Sequence, residues 1–133
     1  MTEEKNYERV HYKQLIESLR LIAMSESQSF INEYFENFVD IPFEVADTYL
    51  NAFTLLPQLI EKKYFSFEVI ANLIRLENFI NSSLNDPDFE KYSNEDFFQN
   101  RRWQMVIKLS KETLIMMNIS IIKPELKPIF IKG

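Results

Sequence analysis

Apolar residues recur along this chain every three or four positions, the spacing that places them on one face of an α-helix. From about Tyr7 to Met24 this spacing predicts a first helix with a single apolar stripe. The stripe consists of Tyr12, Leu15, Ile16, Leu19, Ile22 and Ala23. The same spacing returns at 30–38, 45–56, 69–80 and 98–117. The pattern therefore predicts a series of amphipathic helices packed against one another.

Polar residues with the character of helix caps precede these later segments. Ser25 opens a sequence that resembles a capping box, and we expect it to start the second helix. Asp40 followed by Pro42 has the order of a cap and a first-turn proline. Ser66 and Ser93 are expected to cap the next two long helices in the same way.

Helix-breaking residues separate the segments. Pro57 is expected to end or kink the third helix, because proline lacks the amide proton and clashes with the preceding turn. Pro87 and its polar neighbours interrupt the next helix, and Asn118 ends the last one. Residues 118–133 alternate and contain two prolines, so we expect an extended C-terminal tail.

Glycine is almost absent, since the single one is the last residue. Left-handed backbone positions must then fall to Asn or Asp, and tight hairpins and phosphate-binding loops become unfavourable. Helices need such positions only at their ends. A chain of 133 residues also has the size of one domain. The sequence predicts one all-α domain, residues 1–133, as a bundle of about five to six helices with an extended tail at 118–133.

The chain contains no cysteine, which excludes disulfides, thiol nucleophiles and thiolate metal sites and fits a reducing compartment. Five of its first ten residues are charged, both acids and bases, unlike those of a secretory signal. Its apolar runs are far shorter than the ~20 residues that span a bilayer. We therefore expect a cytoplasmic protein with no membrane partner.

Charge is distributed unevenly, although the net charge is only −5. No Lys or Arg lies between Arg20 and Lys62, a region with seven acidic residues. Residues 86–98 hold five acidic residues, one lysine and four aromatic rings. From Arg101 onwards, seven basic residues outnumber two acidic ones. Packing can join the two acidic regions into one surface.

Two sets of acidic residues form the predicted contact surface. The first acidic block is Glu33, Glu36, Asp40, Glu44 and Asp47. The second acidic block is Asp86, Asp88, Glu90, Glu95 and Asp96. Acidic faces are most often only solvated. The long region without a base brings a binding role closer to that interpretation without overtaking it.

The negative charge of these two blocks favours some classes of binding partner over others. Nucleic acid is disfavoured, because phosphate contacts need Lys and Arg. A basic protein is favoured, because complementary fields steer and speed association. Nuclease surfaces are basic because they hold phosphates, so an acidic helical surface suits a nuclease inhibitor.

Residues for most catalytic and metal sites are missing or misplaced. An EF-hand loop counted from Asp86 needs glycine sixth and glutamate twelfth, where this chain has Lys91 and Phe97. Glu8 and His11 have the E-x-x-H spacing of di-iron bundles, but no second histidine exists. The number of acidic residues does not exclude a hydrolase that uses two carboxylates, although no spacing singles out a particular pair of acids. We expect a non-catalytic protein without a metal or cofactor.

The trio Arg101, Arg102 and Trp103 has two interpretations. It can form a hot spot for a partner, since Arg and Trp are favoured there. It can also be ordinary helix content, with the tryptophan buried and the arginines paired with acids. We favour the second interpretation.

The sequence YFENFVD leading into IPFEVADTYL, in a small, acidic, glycine-poor and cysteine-free chain, resembles the immunity proteins of bacterial toxin systems. The likeness is a general one over the whole chain, and is to the all-helical immunity proteins of contact-dependent growth inhibition. It implies a cytoplasmic protein that forms a heterodimer with one cognate toxin domain, often a nuclease, and blocks its active site. No functional residue transfers by position.

We therefore expect an inhibitor whose carboxylates occupy the phosphate-binding residues of a basic toxin domain and whose bulk excludes substrate. The alternative is a regulatory adaptor or helical assembly subunit, which uses its aromatic residues and tail for oligomerisation. A stable homo-oligomer that buries the acidic face would favour the adaptor.

Overall fold

Seven α-helices make up the described part of the chain, which is residues 2–36 and 40–124 of a computed structural model. Side chains are described from residue 8 onwards, except those of 37–39, Glu90 and 125–133. The helices are α1 (Thr2–Met24), α2 (Gln28–Tyr34), α3 (Ile41–Phe53), α4 (Leu56–Glu61), α5 (Phe67–Leu84), α6 (Asn94–Gln99) and α7 (Arg101–Met116), with a 3-10 turn at Phe89–Lys91. These residues contain no strand. The predicted all-α class is confirmed.

The four long helices form a ring in which α1 packs on α3 and α7, and α5 packs on the same two helices. Consequently α3 and α7 lie diagonally opposite each other. Neighbours run antiparallel: Asn72 of α5 donates to Met116 Sδ at 3.2 Å, while Arg102, near the start of α7, pairs with Asp86, just beyond α5, at 3.3 Å. The short helices make the connections, with α2 and α6 at one end and α4 at the other. The result is an up-down-up-down four-helix bundle.

The core fills the centre of this ring. Trp103, Tyr49, Phe35 and Phe98 are its largest fully buried side chains. Trp103 Nε1 donates to Ser25 Oγ at 2.8 Å, and the Tyr49 hydroxyl donates to the Leu73 carbonyl at 2.6 Å. Burial raises the pKa of Tyr49, with a smaller contribution from Glu77. The phenol therefore stays protonated and its buried hydroxyl stays paired.

The apolar stripe predicted for the first helix is confirmed, since all its members are buried except the half-buried Tyr12. The helix begins at Thr2, earlier than expected. Not every apolar position predicted for the later helices faces the core. Ile74 of α5 and Met105 of α7 are exposed.

Three of the predicted caps are confirmed by side-chain hydrogen bonds. They are Asp40, which accepts from Phe43 N at 3.2 Å, Ser66, which accepts from Val69 N at 3.3 Å, and Ser93, which accepts from Asp96 N at 3.1 Å. Each satisfies one of the amide groups that the first turn of a helix leaves without a partner.

The prediction that Ser25 caps the second helix is wrong. Its hydroxyl instead donates to the Ile22 carbonyl at 2.6 Å and accepts from Trp103. Ser27 caps α2, and its Oγ accepts from Phe30 N at 3.3 Å. The hydrogen bond from the buried indole of Trp103, a residue distant in sequence, thus holds the Ser25 hydroxyl away from the start of α2.

Two helix boundaries differ from the expected ones. The third helix already ends at Phe53, so Pro57 neither ends nor kinks it and lies in the first turn of α4. The last long helix is split at Asn100, whose backbone is extended and whose side chain accepts from Arg102 N at 2.8 Å. The described part therefore has seven helices where about five to six were expected.

Left-handed residues end two helices. Asn118 does so after α7 with φ of 58°, as the glycine-poor composition predicts, but Lys63 does so after α4 with φ of 60°. In both places the amide of the left-handed residue and the next amide donate back into the last turn, which is the Schellman arrangement. The expectation that only Asn or Asp takes such positions is wrong at Lys63.

The chain beyond α7 has no regular structure from Ile119 to Pro124. Ile119 packs against the core, and Arg20 Nε donates to the Ser120 carbonyl at 3.1 Å. The rest of the predicted tail, residues 125–133, lies outside the described residues.

Candidate protein-binding surface

The first acidic block lies on α2 and α3 and on the turn that follows α2. Glu33 and Glu36 are exposed, the first near the end of α2 and the second just beyond it. Asp40, Glu44 and Asp47 are four and three residues apart, so they lie in one row along the solvent side of α3. Asp40 is exposed and the other two are half-buried. The structure thus brings Asp40, Glu44 and Asp47 together on one face of α3 and its cap, while Glu33 and Glu36 lie on α2 and the turn after it.

No base neutralises the first acidic block within the described part of the chain. The ion pairs found there, at N–O distances up to 4.0 Å, involve other carboxylates. Partial burial raises the pKa of Glu44, and the negative charges of Asp47 and Asp40 raise it further. The row on α3 therefore holds like charges close together without a compensating cation.

Phe43 adds an apolar side chain to this surface. It is 44% exposed and lies beside the row, between Asp40 and Glu44 in sequence. Our sequence reasoning did not single it out. The signal was present, because Phe43 falls off the inner stripe formed by Val45, Tyr49 and Ala52.

Asp86, in the second acidic block, is occupied by contacts within the protein. Its side chain is only 13% exposed and pairs with Arg102 at 3.3 Å. It also accepts from Asp88 N at 2.9 Å and from the Tyr92 hydroxyl at 3.4 Å. These contacts give Asp86 a structural role in the turn after α5.

The other members of the second acidic block divide by position. Asp88 pairs with the exposed Lys91 at 3.2 Å. The Glu90 side chain lies outside the described residues. Glu95 and Asp96 are exposed in the first turn of α6, where carboxylates favour the positive end of the helix dipole. Because α6 packs against α3, these two residues lie at the same end of the bundle as Asp40.

The four aromatic rings of residues 86–98 belong to the core or its edge. Phe97 and Phe98 are buried, and Phe97 contacts Trp103 with a centroid distance of 5.1 Å. Phe89 and Tyr92 are half-buried against them.

The favoured interpretation of the Arg-Arg-Trp trio is confirmed for Trp103, which is buried, and for Arg102, which pairs with Asp86.

Among the described residues, no group of three or more His, Asp or Glu side chains can hold a metal ion. Across residues 2–36 and 40–124, none of the helices combines the length and apolar character needed to cross a bilayer.

The chain matches no family model, no curated protein and no solved structure.

Proposed function

We propose that this protein is a non-catalytic, cytoplasmic immunity protein that binds and neutralises a cognate toxin domain of the kind found in contact-dependent growth inhibition. The toxin domain is basic, and a nuclease is its proposed activity. The observation that carries the proposal is the row Asp40, Glu44 and Asp47. Its carboxylates lie side by side at the start of α3, and none forms an ion pair with a base of the described part of the chain.

The row suits a cationic partner because its charges repel one another in the free protein. Arginines or lysines of the partner would relieve that repulsion and add charge-assisted hydrogen bonds. Phe43 supplies the apolar contact that binding hot spots usually contain. Glu95 and Asp96 extend the acidic field at the same end of the bundle.

The proposed mechanism is steric and electrostatic. The carboxylates of the first acidic block occupy the residues with which the toxin holds phosphates, and the bundle covers the active site. We assign Asp86 and Asp88 to the fold instead of the contact, because both are paired with bases of the same chain. Glu90 keeps the role that the sequence predicts for it.

A charge-reversal pair with a matched control tests this surface. The variant E36K with E44K changes the first acidic block and leaves the Asp40 cap intact. The control, E61K with E68K, makes the same charge change at the α4–α5 corner, at the other end of the bundle. The ligand is an inactive form of the toxin-like domain that we expect at the C-terminus of a large protein encoded directly upstream.

Calorimetric titration should show that the surface variant binds this domain more weakly by about 2–5 kcal/mol, while the control keeps nearly the original affinity. Circular dichroism should show that both variants keep their helices. Equal affinities for the two variants would reject the first acidic block as the contact. Absence of any such upstream domain would count against the immunity role itself.

A further inference from the structure

A second exposed surface lies between α5 and α7. There a shallow groove of about 180 Å³ is lined by Arg75, Phe79, Met105, Lys108, Leu109 and Glu112. Its floor is apolar and open to solvent, since Phe79 is 39% and Met105 is 50% exposed. The volume is well below the ~300–1,000 Å³ of sites for small organic ligands. It suits one large side chain of a protein partner.

Two cations border the floor of the groove. Arg75 donates to Asn72 Oδ1 at 2.9 Å, and Lys108 is exposed one turn before Glu112. Among the residues that the structure describes, neither cation forms an ion pair with a carboxylate. The groove thus presents two positive charges, from Arg75 and Lys108, against the single negative charge of Glu112, so its lining is net positive in a protein whose net charge is −5.

The solvent side of α3 has the opposite arrangement. It presents the exposed ring of Phe43 beside the unneutralised carboxylates of Asp40, Glu44 and Asp47. One surface therefore offers an apolar floor bordered by two cations and one carboxylate, with a net positive charge, and the other offers an apolar ring bordered by three carboxylates. The two surfaces are complementary in charge and in the position of their apolar part.

We propose that the α3 surface of one copy of this chain docks in the α5–α7 groove of a second copy. The Phe43 ring enters the groove between Phe79 and Met105, and the carboxylates of α3 meet Arg75 and Lys108. The two surfaces cannot meet within one molecule, because α3 lies diagonally opposite α7. The contact is head-to-tail, so repetition builds chains of molecules instead of a two-fold dimer.

The contact is small and mostly electrostatic, so the association is weak, reversible and sensitive to salt. It differs in this from the stable oligomer that an assembly subunit would form. The inference uses the α3 surface but does not depend on the proposed immunity function, because its test contains no toxin.

The test uses two neutralised variants that can complement each other. The α3 variant carries F43S, E44Q and D47N, and the groove variant carries R75Q, M105S and K108Q. All these residues except Glu44 and Asp47 are exposed, and those two are half-buried, so both variants are expected to fold. Neutral replacements avoid a new attraction between the altered surfaces. A control, E61Q with E68Q, matches the charge change of the α3 variant at the α4–α5 corner.

Sedimentation velocity at low salt, up to about 1 mM protein, should show a mean mass that rises with concentration for the wild type and the control. Each complementary variant alone should stay monomeric. Their equimolar mixture should form dimers and nothing larger, because only one intact contact remains. Raising the salt from about 0.1 M to 1 M, which shortens the Debye length from about 10 Å to 3 Å, should weaken the wild-type contact at least tenfold.

Three results would overturn the proposal. The first is a wild type that stays monomeric throughout. The second is an α3 variant that still associates like the wild type, which would indicate groove-to-groove contact. The third is a mixture of the two variants that remains monomeric. None of these results bears on binding of a toxin domain to the first acidic block.

Discussion

Glu44 and Asp86 are both acidic residues, but the structure gives them different roles. Glu44 lies beside Asp40 and Asp47, and partial burial with these like charges raises its pKa. Asp86 instead receives hydrogen bonds from Asp88 N and Tyr92 and pairs with Arg102. Residues whose ionised form is unfavourable in the free protein are typical of functional sites, because selection keeps them for binding and not for stability.

The substitution E44Q should therefore stabilise the free protein near neutral pH. The folded-state pKa of Glu44 lies above its ordinary value of 4.5, so the folded protein holds this proton more tightly than the unfolded chain does. The ionised side chain costs stability at higher pH, and the cost disappears well below 4.5, where both states are protonated. Urea unfolding should show a gain of at most about 0.5 kcal/mol at neutral pH and none in acid. The gain is small because Glu44 is partly exposed and because its charge, in the first turn of α3, also favours the positive end of the helix dipole.

The control for this experiment is D86N, which should have the opposite effect. It weakens two hydrogen bonds and removes an ion pair, so we expect a loss of about 1–2 kcal/mol at neutral pH. A loss of stability for E44Q at neutral pH would show that the charge of Glu44 stabilises the start of α3 instead of opposing folding.

At the scale of elements, the helix starts that depend on local sequence were predictable and those that depend on distant contacts were not. Asp40, Ser66 and Ser93 cap helices because the capping oxygen and its amide lie three residues apart. Ser25 has the same local signal, but the indole of Trp103 and the Ile22 carbonyl engage its hydroxyl. A local sequence pattern cannot show that a residue far along the chain will engage the hydroxyl that would otherwise cap the helix.

The break at Asn100 was missed for a related reason. Apolar spacing continues from Phe98 through Met105, which made α6 and α7 look like one helix. Asn100 nevertheless adopts an extended backbone and caps α7 by accepting from Arg102 N. The turn lets Phe97 and Phe98 of α6 pack on Trp103 from the side. Tertiary packing thus overrode the local periodicity.

The end of α4 provides a stability test at the element scale. Lys63 has φ of 60°, a conformation that costs a side-chain-bearing residue about 1 kcal/mol relative to glycine. K63G should therefore stabilise the protein by up to about 1 kcal/mol in denaturant unfolding. N118G should gain less, because Asn tolerates this conformation better.

The adjacent substitution K62G is the matched control for K63G. Lys62 has φ of −88° and pairs with Glu8 at 3.6 Å, so glycine brings no conformational relief there and removes an ion pair. K62G should destabilise the protein slightly. If K63G were as destabilising as K62G, the left-handed backbone at position 63 would be in doubt.

At the scale of the whole molecule, the sequence predicted the negative charge of the candidate surface. It did not predict which apolar side chains remain exposed to solvent. The row on α3 follows from helical spacing alone. The exposure of Phe43, Phe79 and Met105 does not, because it depends on which faces remain outside when the four helices close into a ring. The pairing of Asp86 with Arg102 also depends on that closure.

The bundle thus separates two opposite surfaces, an acidic one on α3 and a cation-bordered groove between α5 and α7. If both proposals hold, a basic toxin domain and a second copy of this chain compete for α3. Adding the inactive toxin domain to concentrated wild-type protein should dissociate the head-to-tail chains into 1:1 complexes. Toxin should bind the groove variant, which cannot self-associate, at least as tightly as it binds the wild type, because no competing copy occupies α3.

Sedimentation velocity of the mixtures distinguishes competition from independent binding. Competition requires that the mean mass of the wild type fall to that of a 1:1 complex as toxin reaches one equivalent. Larger particles, in which toxin joins intact chains of this protein, would show that the toxin contact lies away from α3. In that case Glu95 and Asp96 on α6, which the head-to-tail contact leaves exposed, become the acidic residues to reverse next.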